Sequence, residues 1–308
     1  MSEISLLERL QEALIAVRDW HGDAASTLYA VIDPILADPF PDAAGEAREV
    51  VVLPADKFAP GDCPYLLTLG EFGRDPRAEA TIALSMQETL AQEGGDRAGR
   101  SVCGWLVLPS GIPVEQAVRA YARQSQLVVG GERRTFRFWD PRTLDLARDV
   151  LTPTQLNAIL GPAASWSWLS RQRKLETVWI DPREHDALYT VAVRTNEEQQ
   201  RLLSQLPEIN LVMDSLTVAA FDTTPIKAIE VGRRLVEADV QWRLHDPRDQ
   251  VSYAICCMIY GAPFTANAPI RQQLIHGLET GTPAMPAVLG MLDTLEPQLV
   301  ALESGAVS

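Results

Sequence analysis

Lysine is nearly missing from this chain. Its 308 residues include only Lys57, Lys174 and Lys227, and every other basic residue is an arginine. Basic residues total 27 against 41 acidic ones, a formal charge of −14. A phosphate-binding surface works by presenting clustered cations that displace counterions, so no nucleic-acid partner is expected. Long apolar runs are missing too. A spanning helix needs about 20 consecutive apolar residues, and the chain has no such stretch, so no membrane insertion is expected. The opening Met-Ser-Glu-Ile-Ser has no basic region leading into an apolar core, which makes the cytoplasm the expected location.

Histidine and cysteine are sparse. His21, His185, His245 and His276 are scattered without ligand spacing. Cys63, Cys103, Cys256 and Cys257 form no C-x-x-C pair, and adjacent cysteines on a helix point in different directions. That pattern excludes a recognisable zinc site or disulfide framework and leaves reduced, buried thiols as the expectation. There is no G-x-S-x-G elbow, Walker A loop or H-E-x-x-H. No catalytic residue, metal or cofactor is therefore assigned, and the chain is expected not to be an enzyme.

What is present reads as an ordinary globular protein, 46% hydrophobic and 22% charged. Its length exceeds that of a usual single core, so two lobes are expected. Leu6, Leu7, Leu10, Leu14, Val17 and Trp20 recur at helical steps and predict an amphipathic helix over 3–20. Strands are predicted at Leu28–Ile32, Glu49–Leu53, Tyr65–Leu69 and Cys103–Leu108. A helix opens at Asp75-Pro76 and runs to about Glu93, and another runs from Pro113 to Gln124. Leu127–Val129 and Thr135–Trp139 form a hairpin across Gly130-Gly131. Leu188–Val193 is the last plausible strand. Beyond it, Leu202, Leu203 and Leu206 begin a helical pattern. Thr224-Pro225 and Asp246-Pro247 are N-cap and N1 pairs, and two further segments between Ile270 and Leu302 are broken by Gly281, Pro283 and Pro286. The predicted fold is α+β: a mixed lobe over 1–194, with a small sheet flanked by helices, then an all-α lobe over 195–308. The second lobe holds 7 Lys/Arg against 14 Asp/Glu.

Asp-Pro-Arg occurs four times, at residues 75–77, 140–142, 181–183 and 246–248. The tripeptide is a helix-starting device. The Asp carboxylate accepts a first-turn N–H, and proline fits where no intrahelical donor is needed. The copy at 140–142 follows Phe136-Arg137-Phe138-Trp139. On a strand, alternation sends Phe136 and Phe138 to one face and Arg137 and Trp139 to the other, within reach of a carboxylate such as Asp33. Either an Arg–Asp pair fixes the sheet there, or the segment presents a peptide-binding surface. Trp166, Trp168 and Trp179 with Leu169 form the densest aromatic segment, either core between the lobes or the lining of a groove.

Leu28-Tyr29-Ala30 with Asp33, Pro64-Tyr65-Leu66, Phe136–Arg142 and Gly161-Pro162 occur in an order and spacing that resemble one family. This is the effector chaperone/adaptor family of bacterial type VI secretion, over roughly residues 27–170. One departure is Ile159-Leu160 before Gly161, where members often carry phenylalanine. The resemblance implies a cytosolic chaperone/adaptor that binds a toxic effector and helps load it onto the C-terminal region of the valine-glycine-repeat spike protein. It also implies that the variable helical lobe helps select the client. On this reading Tyr29, Asp33, Tyr65, Arg137, Trp139, Asp140, Arg142, Trp166 and Trp168 are candidate effector-binding residues, and Pro64, Pro141, Gly161 and Pro162 are structural. Two alternatives stand beside it: a hydrolase or transferase with Asp33, Asp140 and Arg142 converging in a deep pocket, and an immunity-type protein that neutralises one toxin.

Overall fold

The computed structural model describes residues 26–35, 37–43, 48–54, 58–70, 75–93, 99–129, 132–180 and 193–303, together with 8–10, 12 and 16. The chain divides into two compact units, Met1–Asn196 and Glu197–Ser308. The fold is α+β with a helical C-terminal part.

The first unit is built on six antiparallel strands: β1 (Thr27–Ile32), β2 (Arg48–Val50), β3 (Tyr65–Leu69), β4 (Val102–Leu108), β7 (Ser165–Leu169) and β8 (Leu175–Trp179). Their order is β2-β3-β1-β4-β7-β8. Register is set by the pairs Leu28↔Leu69 and Ile32↔Tyr65, and on the other side by Thr27↔Leu108 and Val31↔Gly104. Helix α1 (Pro76–Glu93) covers one face. Its buried residues Ala78, Thr81, Ile82, Ser85 and Thr89 recur at helical steps, so the covering stripe is small and partly hydroxylated. Each of these hydroxyls that pairs does so locally or with the sheet. Thr81 Oγ1 donates to the Ala78 carbonyl and accepts from Trp105 Nε1, and Thr89 Oγ1 donates to the Ser85 carbonyl. Of the predicted N-terminal helix, residues 8–10, 12 and 16 are helical and Leu10 enters this same core; its other positions lie outside the described residues.

The opposite face carries α2 (Val114–Gln124), α3 (Pro141–Val150) and α4 (Pro153–Leu160). There β7 alternates strictly: Trp166 and Trp168 face these helices, while Ser165 and Ser167 face the other side. Both rings are at most 1% exposed. Burying roughly 150–250 Å² per ring, at about 25 cal/mol per Å², is worth roughly 4–6 kcal/mol each. These tryptophans are therefore core of the first unit, not a groove lining, while Trp179 at the end of edge strand β8 is 36% exposed.

A separate two-stranded ribbon pairs β5 (Gln126–Val129) with β6 (Glu132–Thr135). A hairpin does form, but its second strand is Glu132–Thr135 and not the predicted Thr135–Trp139, which shares only Thr135 with it. Phe136–Asp140 is a turn, closed by Phe138 N donating to the Phe136 carbonyl and Asp140 N to the Arg137 carbonyl. Face alternation therefore does not apply to residues 136–139. The predicted strand at Glu49–Leu53 is likewise shorter, because from Val51 onward one bond, Val51 N to the Pro64 carbonyl, replaces the ladder.

The second unit comprises α5 (Glu197–Ser204), α6 (Leu206–Val218), α7 (Ala228–Val240), α8 (Pro247–Tyr260), α9 (Ala262–Ala266), α10 (Ala268–Thr280) and α11 (Met285–Glu303). Helix α8 is central, contributing Tyr253, Cys256, Cys257 and Tyr260 to a core with Trp242, Phe264, Ile270, Leu274 and Met285. Trp242 Nε1 donates to Tyr253 Oη at 2.9 Å, and that hydroxyl donates to Glu237 at 2.9 Å, so both buried polar groups are paired. Asp246-Pro247 starts α8 as predicted. Thr224-Pro225 does not start α7; it lies in a turn held by the Asp222 carboxylate, and the helix begins at Ala228. Pro207 opens α6 within its first turn. Among the described residues no helix is long and apolar enough to cross a membrane.

Candidate functional site

Strand β1 delivers Asp33 to the place where the sheet is locally irregular. Val31 pairs with Gly104 but Ile32 with Val102, leaving Cys103 as the extra residue of a β-bulge. Gly104 has φ +152°, and a Cβ there would lie 2.5 Å from the Ser167 carbonyl oxygen. Only glycine lets β4 bulge while staying paired with β7. Beside the bulge, Asp33 N donates to the Ser101 carbonyl at 2.8 Å.

The turn 136–140 closes over this point. Arg137 Nη2 and Trp139 Nε1 both donate to Asp33 Oδ2 at 2.6 Å, and Ile35 N donates to Oδ1 at 3.2 Å. Asp33 is 2% exposed. Both carboxylate oxygens are thus committed. Phe136 and Phe138 turn into the aromatic core instead. The Phe138 ring lies 5.9 Å from Tyr121, 5.8 Å from Trp166 and 5.4 Å from Trp139, and Tyr121 meets Trp166 edge-on at 5.4 Å.

Asp140 then caps α3. Its Oδ1 accepts from Arg142 N at 2.9 Å and Nε at 3.0 Å, and its Oδ2 from Arg142 Nη2 at 2.6 Å. Burial opposes its charge, but the Arg142 charge and hydrogen bonds, with Arg137 behind them, hold the carboxyl down at about 2. The copy at Asp75–Arg77 has the same geometry, with Arg77 N and Nε on Oδ1 at 3.0 Å and Nη2 on Oδ2 at 2.9 Å. At Asp246–Arg248 the cap bond is made at 2.8 Å. The Asp181–Arg183 copy lies outside the described residues. The tripeptide is thus a local helix-opening device, and burial distinguishes the copy at 140.

Neighbours that sequence reasoning did not find complete the cluster. Arg100, 3% exposed, donates to the Leu169 carbonyl. Burial pulls its guanidinium down to about 10 against the pull of Asp140 and Asp145. Asp145 on α3 accepts from Trp168 Nε1 at 2.8 Å and Arg171 N at 3.1 Å, and burial raises its carboxyl. Cys103 lies in the field of Asp33 and Asp140, and burial first, then those carboxylates, raise its thiol. No local pattern announces these contacts, because each joins positions that only the folded sheet brings together.

The other predicted residues go elsewhere. Tyr65 Oη donates to Asp38 at 2.6 Å, and the Arg48 guanidinium sits 3.7 Å above its ring while pairing with Asp38 at 2.7 Å. Burial, then Asp38, raise the Tyr65 hydroxyl. Tyr29 is 8% exposed, and burial, then Glu49, raise its hydroxyl as well. Gly161 ends α4 at φ +65°, and Pro162, like Pro141, is buried. Pro64 supplies the carbonyl that holds Val51. Of the nine candidate contact residues, Tyr29, Asp33, Tyr65, Trp139, Asp140, Trp166 and Trp168 are buried, leaving Arg137 and Arg142 at partial exposure. The seven buried side chains build the fold rather than a contact surface. His21 and His185 lie outside the described residues. His276 is exposed, and His245 faces Asp239 at 3.3 Å. No group of three or more His, Cys, Asp or Glu that could hold a metal occurs among the described residues.

No family model, curated protein or solved structure matches the chain.

Proposed function

We propose that this protein is a non-enzymatic, cytoplasmic chaperone/adaptor. It binds a type VI secretion effector and helps load it onto the C-terminal region of the spike protein. One observation carries the reading. Asp33 of the first motif receives both Arg137 and Trp139 of the third. The second motif pairs with the first in the sheet, and Gly161 of the fourth abuts Tyr121, which touches Phe138. Four short motifs spread over the chain thus serve one scaffold, as expected if they are the signature of a family and not chance matches. Client choice falls to surfaces outside them, above all to the helical unit with its acidic excess, which suits a basic face on the client.

The hydrolase reading loses its support in the same geometry. Asp33 and Asp140, the intended acid and base, are each occupied by arginine and closed to solvent. The reading is tested by deleting the gene in its native bacterium and measuring the soluble level and export of each type VI effector. Loss of one effector, with the others unchanged, is expected. Unchanged level and export of every effector would overturn the proposal. An immunity protein would instead leave export intact and expose the deletion strain to its own toxin.

A further inference from the structure

We draw no further inference here: the strongest candidate, the cavity of about 390 Å³ where Trp242–Asp246 and the first turn of α8 face the end of α10, joins a helix N-terminus to exposed or half-buried polar side chains, Arg243, His245, Asp246 and Asp249, with no second feature among the described residues that points to a ligand.

Discussion

Replacing Asp33 with alanine tests the central joint of the first unit. The substitution removes the acceptor for the Trp139 indole N–H, on a residue only 2% exposed, and the partner of Arg137. A buried donor left unpaired costs about 1–3 kcal/mol, and a lost hydrogen bond to a charged group about 1.5–3 kcal/mol. The Arg137 side chain keeps 31% of its surface in water, so its share belongs at the low end. The expected total is about 3–4 kcal/mol. Asp33→Asn retains an acceptor and loses only charge, so about 1–2 kcal/mol is expected. Urea unfolding followed by tryptophan fluorescence reads the correct unit, because Trp242 is the only tryptophan beyond residue 196. A double-mutant cycle with Arg137→Ala isolates the pair, and a coupling of at least about 1 kcal/mol is expected. If Asp33→Ala unfolds within about 0.5 kcal/mol of the parent, the joint is not what holds the turn, and the reasoning fails.

Four further outcomes follow from the structure. The Asp140 carboxyl is held down at about 2, against an ordinary 3.8, so its stabilisation is complete above about pH 4 and is lost as pH falls toward 2. The loss amounts to about 2 kcal/mol. Asp140→Asn, which keeps the cap, should flatten that part of an acid-unfolding profile, and an unchanged profile would contradict the assignment. Gly161→Ala forces a side chain into φ +65°, ψ −138° and to 3.1 Å from Tyr121 Cε1, which should cost about 1–3 kcal/mol in thermal or urea unfolding. Gly104→Ala, with its 2.5 Å backbone clash, should cost more. All four cysteines are buried, and burial pushes the Cys256 and Cys257 thiols up to about 12. Thiol titration with a disulfide reagent at pH 8 should find none in the native protein and four after unfolding. Rapid native labelling would show that the cores open.

Much of the local structure is legible from neighbours in sequence. Asp75-Pro76, Asp140-Pro141 and Asp246-Pro247 mark true helix starts because cap chemistry involves only residues within one turn. Strands β1, β3 and β4 announce themselves as apolar runs, since both faces of the sheet are covered. Strand β7 also carried a readable signal, in which Ser-Trp-Ser-Trp alternates with period two, although its tryptophans attract attention as a binding feature. Thr224-Pro225 misleads because the same residues also open turns, and tertiary packing chose the later start.

Sequence alone also determined that Arg137 and Asp33 were plausible partners, but by an argument from strand alternation that does not hold. The pair forms because Phe136–Asp140 is a turn. Folding the chain back there buries Phe138 against Tyr121 and Trp166 and swings Arg137 and Trp139 onto one carboxylate. Composition and local pattern determine the class, the helix starts and the central strands, because these depend on neighbouring residues. Which carboxylates are sealed, and that the motif residues form an interior joint, depends on contacts across about 100 residues. Those contacts exist only once β1, β4 and β7 lie side by side, since burial and hydrogen-bond partners belong to the packed sheet and not to any segment of it.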